Sequence, residues 1–202
     1  RGSNGRNPKS FWNYSGKDYA DSWKKRKKDQ PFFTVYNIGE SHESRAFGDH
    51  NDESIDPQKM ILAPYHPDLP EMRNTYAKYS SAISRMDSLV GQAIENLKQD
   101  GLYEDTIIVY NSDHGGVLAR SKRFLYSSGI HCPLIVRIPE KWKHLYPRGK
   151  SPGATIDRIV SFIDMPKTWV SLTGAEMKDN YQGRIFLGPE TEPEPKYHFS
   201  WR

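Results

Sequence analysis

Residues Thr106 to Pro133 read TIIVYNSDHGGVLARSKRFLYSSGIHCP. The first five, Thr106-Ile107-Ile108-Val109-Tyr110, form a short, β-branched apolar run of the kind that suits a strand buried on both faces. Polarity then changes abruptly at Asn111-Ser112-Asp113-His114-Gly115-Gly116. An acid and an imidazole at the carboxyl end of a strand, followed by glycines, occupy the place where open α/β sheets bind their ligands. The glycines allow a sharp turn and a close approach of the backbone. A second apolar run, Pro133-Leu134-Ile135-Val136-Arg137-Ile138-Pro139, returns to the sheet, and Lys122 and His131 lie between the two runs. One loop therefore offers an acid, two imidazoles and an ammonium. The alternative is a polar surface loop with no chemistry of its own.

Outward from this stretch, the 202 residues suffice for one domain with a core. Mean hydropathy is −0.81, low for a self-sufficient α/β unit, and 14 Pro with 15 Gly demand many turns. The chain reads as a single partial domain, residues 1–202, cut from a longer protein at both ends. No run is apolar enough for a membrane span. The net charge of +4 is mild. The block Lys24-Lys25-Arg26-Lys27-Lys28 has no aromatic interleaving, so it reads as a solvated helix end and not as a nucleic-acid surface. The single cysteine, Cys132, has no partner for an internal disulfide and reads as a small hydrophobe.

Taken in order, Arg1 to Lys17 read as a polar loop and Asp18 to Lys28 as a short helix. Phe32 to Ile38 reads as a strand by its aromatic and β-branched content. It ends in Gly39-Glu40-Ser41-His42-Glu43-Ser44-Arg45, a second strand-end loop bearing an imidazole. Two such loops in one chain suggest that both histidines face a single crevice. Asp49 to Pro67 reads as a loop crossing the active face. A long helix follows, with Asp68 as its N-cap, Pro70 in its first turn, Glu71 completing a capping box and Gly101 as its stop. Met72, Tyr76, Tyr79, Ile83, Met86, Val90, Ile94 and Leu97 form its apolar stripe. Further on, Asp164 caps a helix that ends at Gly174, Lys178 to Lys196 is irregular, and a last strand starts near Tyr197.

The order strand, Ser112-Asp113-His114-Gly115, Lys122, Tyr126, Gly129-Ile130, Pro133-Leu134-Ile135-Val136 resembles the type I sulfatases of the alkaline phosphatase superfamily. Their pattern is a strand, S-D-(N/H)-G, then K-G-x-L-Y-x-G-G-x-x-x-P-L-I-V. Counted from Lys122, the tyrosine, glycine, isoleucine and proline fall in register. Pro31-Phe32-Phe33 with His42, the long helix, Asp164-Met165-Pro166 and Gln182-Gly183-Arg184 are similar to further segments of the family. The resemblance spans the chain from Gln30 onward.

The resemblance implies an α/β fold with an alkaline-phosphatase-like mixed sheet flanked by helices. It implies a hydrolase of sulfate esters or sulfamates acting on a sulfated small molecule or saccharide, in a periplasmic, extracellular or lysosomal setting. Asp113 and His114 would be half of a divalent-metal site, calcium or another cation, since a carboxylate suits a hard ion. Lys122 and His42 would hold the sulfate and stabilise its growing charge, with His42 protonating the leaving oxygen. His131, standing where the family commonly has arginine, would be a further substrate contact. Adjacent residues on an extended backbone point oppositely, so Asp113 and His114 share a cation only if the chain turns at Ser112. Two departures stand out. Glu40-Ser41-His42 replaces the family's D-P-H, and no C/S-x-P-x-R stretch exists to yield the formylglycine nucleophile. The residues present are thus expected not to hydrolyse aryl sulfates unaided. A phosphodiesterase or phosphonate hydrolase of the same superfamily, or a non-catalytic anion- or glycan-binding module, are the alternative readings.

Overall fold

A computed structural model describes residues 14, 16, 21–48, 55–177 and 180–200. Residues 1–13, 15, 17–20, 49–54, 178–179 and 201–202, which hold part of the loops and of the first helix expected above, lie outside the described residues. The arrangement is α/β, and it separates into two compact units. The first comprises residues up to Tyr103 together with Gly116–Lys122; the second comprises Glu104–Gly115 and the residues from Arg123 onward.

The first unit is organised on α3, Pro70–Gln99, with α1 (Asp21–Lys24), α2 (Glu43–Ala46) and a 3-10 turn at Pro57–Lys59. Its 30 residues make α3 roughly 45 Å long at the standard rise. The expected stop holds in detail. Gly101 has φ +68, its N–H bonds the Lys98 carbonyl, and the N–H of Leu102 reaches the Leu97 carbonyl, a Schellman motif. The start differs. The N-cap is Leu69 with no side-chain bond, because Asp68 is drawn off by Arg73, whose Nη2 donates to Oδ2 at 2.7 Å. The hydrogen bond to Arg73 holds the Asp68 carboxyl below its ordinary value. The apolar stripe is half-buried except at Leu97, which is buried along with Ala77, Ser81 and Ala82.

The strand expected at Phe32–Ile38 is not formed. The burial of the segment alternates residue by residue, yet among the described residues no ladder bonds join it to another strand. Its inward side packs on Trp23, which is 1% exposed and lies 6.0 Å from Phe32 and 6.2 Å from Tyr36. Side-chain packing without a paired neighbour gives the period of a strand but not its hydrogen bonds. The basic block likewise finds local partners. Lys24 lies 3.4 Å from Asp100, and Arg26 donates to the Trp23 carbonyl at 2.8 Å.

The second unit holds the only sheet among the described residues, β1 (Ile108–Asn111) paired antiparallel with β2 (Leu134–Arg137), in register Ile108↔Arg137 to Asn111↔Leu134. β1 is not buried on both faces as expected, its residues being half-buried or exposed, and in β2 Ile135 is 62% exposed, because two strands offer few neighbours to cover either face. The loop between them contains a short helix, α4 (Ser127–Ile130). Helix α5, Asp164–Thr173, ends on Gly174 at φ +66 as expected. Asp164 is its first residue and not its cap. Buried, it accepts the N–H of Ser161 and of Arg184, each at 2.8 Å, and so ties the helix start to the segment beyond it. Gly183 is needed there, since a Cβ would stand 2.0 Å from the Ile163 carbonyl oxygen. The strand expected near Tyr197 is absent; Tyr197 and Phe199 are 74% and 81% exposed. Among the described residues no helix is long and apolar enough to cross a membrane.

Candidate functional site

In the first unit, Lys122 sits on a loop held from several sides. Its N–H closes the loop onto the Gly116 carbonyl at 3.0 Å. Gly116 lies under the Tyr79 ring, where a Cβ would meet the phenol oxygen at 2.9 Å. Ala119 offers its carbonyl to His66 Nε2 at 3.0 Å, and the Arg120 guanidinium lies 4.7 Å from the Tyr65 ring centre. Arg120 itself takes φ +60, a left-handed conformation costly for a residue with a Cβ. So fixed, Lys122 places Nζ 3.6 Å from Glu43 Oε2, on the residue that follows His42.

His42 is exposed and serves as N-cap of α2. Its Nδ1 accepts the Ser44 N–H at 3.3 Å and lies 2.9 Å from the Ser44 hydroxyl. A backbone N–H can only donate, so Nδ1 carries the lone pair and the proton of the neutral ring is on Nε2. Glu40, in place of the family's aspartate two residues earlier, lies 3.1 Å from Arg45 Nη1 and 3.8 Å from Arg85 Nε. These partners were not legible in sequence; only their proximity across the fold reveals them.

In the second unit, β1 ends at Asn111 and the chain turns at once. The Ser112 hydroxyl donates to the His114 carbonyl, and the His114 N–H reaches back to Ser112 Oγ at 3.4 Å. Gly115 then runs against α4, where a Cβ would lie 1.8 Å from the Ser128 carbonyl oxygen. Close approach, and not a left-handed turn, is what requires glycine there. His114 Nδ1 lies 2.7 Å from the Gly115 carbonyl, so it bears the proton of the neutral ring. The Nε2 lone pair is left 3.7 Å from Asp113 Oδ1. A histidine whose second nitrogen is held by a backbone carbonyl is the usual form of an imidazole metal ligand. Asp113 and His114 can thus offer two donors to one cation. Among the described residues no cluster of three or more His, Cys, Asp or Glu could hold a metal, so the pair fits as part of a ligand set and not as a whole site.

His131, following α4, is exposed. Cys132 is half-buried, and burial first, then the charge of Asp113, pushes its thiol up from the ordinary value. Thiolate is the reactive form, so this cysteine is not set up as a nucleophile.

A family model described as sulfatase matches residues 4–175. The chain is 31% identical to an ulvan-active sulfatase of Formosa agariphila, covering 94% of this chain and 36% of that protein. It is also 31% identical to an N-acetylglucosamine-6-O-sulfatase of Bacteroides thetaiotaomicron, over 61% of this chain and 21% of that one. Among solved structures, a phosphonate monoester hydrolase from Silicibacter pomeroyi aligns with a TM-score of 0.48 at 27% identity, covering 74% of this chain and 28% of that one. The chain spans about a third of the length of the first of these relatives and less of the others. With the motif register and a family match over most of its residues, the chain belongs to the sulfatase family.

Proposed function

We propose that this chain supplies the sulfate grip, and part of the cation site, of a sulfuric ester hydrolase acting on sulfated saccharides. Family membership supports the reaction class, and the ulvan-active and N-acetylglucosamine-6-O-sulfatase relatives support a sulfated saccharide as substrate. The observation that carries the reading is Lys122 Nζ held 3.6 Å from the residue next to His42. An ammonium on a tethered loop and an imidazole with its proton on Nε2 are suited to the terminal oxygens of a sulfate. Both bind more tightly as the S–O bond breaks and charge moves outward. As the imidazolium, with Nδ1–H donating to the Ser44 hydroxyl, His42 is also suited to pass its Nε2 proton to the leaving sugar oxygen and return to the neutral ring. His131 is proposed as a further, exposed substrate contact. Asp113 and His114 would hold a divalent cation, calcium by the family resemblance, and such an ion supplies Lewis-acid polarisation of a sulfate oxygen. The nucleophile, a formylglycine by the same resemblance, is not among these residues. A periplasmic, extracellular or lysosomal setting is proposed on the same ground.

The test is kinetic and uses the protein that carries this chain. Lys122→Ala should lower kcat/KM toward a sulfated saccharide that the protein turns over by about 10²–10³-fold. His42→Ala should act mainly on kcat, by about 10²–10⁴-fold. Turnover of the sulfate ester unaffected by Lys122→Ala would overturn the reading. Faster turnover of a phosphonate monoester than of any sulfate ester would replace it with the phosphonate hydrolase alternative.

A further inference from the structure

His42 stands on a segment too short to hold itself. Its N–H donates to the Gly39 carbonyl at 3.1 Å, and its own carbonyl accepts the N–H groups of Arg45 and Ala46 at 2.8 and 2.9 Å. Helix α2, which it caps, has 4 residues, far below the length at which a helix persists alone in water. The direction of the His42 ring is therefore set from outside, and α3 is the helix packed against α2. The polar side of that packing is Arg85. Its Nη1 donates to Ser81 Oγ at 2.9 Å, while its Nε and Nη2 are buried and have no hydrogen-bond partner among the described residues. A guanidinium that gives up water at two nitrogens without gaining acceptors is costly, and its placement calls for a reason. The carboxylate facing it is Glu40, with Oε2 3.8 Å from Nε. The other Glu40 oxygen accepts from Arg45 Nη1 at 3.1 Å. The two pairs differ in weight. The Arg45 side chain is 60% exposed, so water screens it. Those of Arg85 and Glu40 are 31% and 22% exposed, and their charges act through less water.

We infer that Arg85 is a positioning residue for His42. Its charge holds Glu40, two residues before His42, against α3, and so fixes the direction in which the His42 ring presents Nε2. The inference rests on the reading of His42 given above and extends it to a residue on another element. An ion pair withdrawn from water in this way adds little net stability; what it supplies is the choice of one arrangement over its neighbours.

A residue that acts only through His42 falls silent once His42 is gone, whereas a residue that merely supports the fold does not. The experiment measures kcat and KM toward a sulfated saccharide that the protein carrying this chain turns over. Arg85→Gln is made in the unmodified protein and again in His42→Ala, with far-ultraviolet dichroism confirming that each variant is folded. With His42 present, Arg85→Gln should lower kcat by about 10- to 100-fold, the scale of a misplaced catalytic group. In the His42→Ala background it should lower kcat by no more than about 2-fold. KM should change little, because the sulfate stays on Lys122. Arg85→Lys, which keeps a charge opposite Glu40, should recover most of the loss. Glu40→Gln gives the same comparison if Arg85→Gln does not fold. An equal loss in the two backgrounds, no loss in either, or no recovery with lysine overturns the inference and leaves the grip on sulfate intact. A kcat unmoved by His42→Ala alone overturns the role of His42 and the inference together.

Discussion

His66 and Tyr76 meet at 2.8 Å beneath the loop that carries Lys122, and the direction of their hydrogen bond is determined. His66 Nε2 faces the Ala119 carbonyl, which only accepts, so Nε2 bears the proton and Nδ1 accepts from the Tyr76 hydroxyl. The same phenol oxygen accepts the Ala63 N–H at 2.9 Å. Every donor in this relay has its acceptor, and its far end is three residues from Lys122. Tyr76→Phe removes both bonds and leaves an amide and a ring nitrogen unpaired. It should cost about 1–3 kcal/mol in urea unfolding and raise KM for a sulfate ester more than it lowers kcat. Wild-type stability and KM in this variant would show that the relay does not position the loop.

Asp113 and His114 are separable by metal titration. Asp113→Ala removes the charged donor and should weaken metal-dependent activity by about 100-fold or more, since even outer-shell changes at metal sites cost 10–100-fold. His114→Asn restores an oxygen donor and should keep substantial activity, whereas His114→Ala should not. Identical metal dependence of His114→Ala and the unmodified protein would leave Asp113 as this loop's only ligand.

Glu192 gives a pH-dependent contribution to stability. Its carboxylate takes Lys167 Nζ at 3.0 and 2.8 Å and the Ile185 N–H at 2.6 Å. These hold its pKa below the ordinary value of 4.5, the Lys167 hydrogen bond most and the Ile185 N–H next. A carboxyl with a depressed folded pKa stabilises the fold above its unfolded value and loses that contribution as pH falls through the folded one. Glu192→Gln should therefore cost up to about 1 kcal/mol at pH 7, given the exposure of the pair. The difference should close below the ordinary carboxylate range. A penalty of equal size at pH 7 and at pH 3 would mean that the charge is not its source.

The residue types of the candidate site were legible before any coordinates, because strand, acid, imidazole, glycines and lysine follow one another within a single loop. Their partners were not. Glu43 opposite Lys122, His66 and Tyr76 beneath its loop, and Arg85 beside Glu40 are neighbours only once distant segments have packed. Nothing local to Trp23 marked it as the buried anchor of its unit either.

Helix α3 and its Gly101 stop could be read from sequence because helical hydrogen bonds join residues four apart and the apolar period is written in the same span. β1 and β2 were legible as apolar runs, but strand status is settled by a partner elsewhere in the chain. That is why 32–38 alternates like a strand yet pairs with none among the described residues, and why residues near Tyr197 form no strand. Side-chain roles divide in the same way. Asp68 and Asp164 both looked like helix caps, and both accept hydrogen bonds from other groups. A carboxylate binds whichever donor the tertiary fold brings within about 3 Å, and for Asp68 that donor was Arg73 while for Asp164 it included the Arg184 amide.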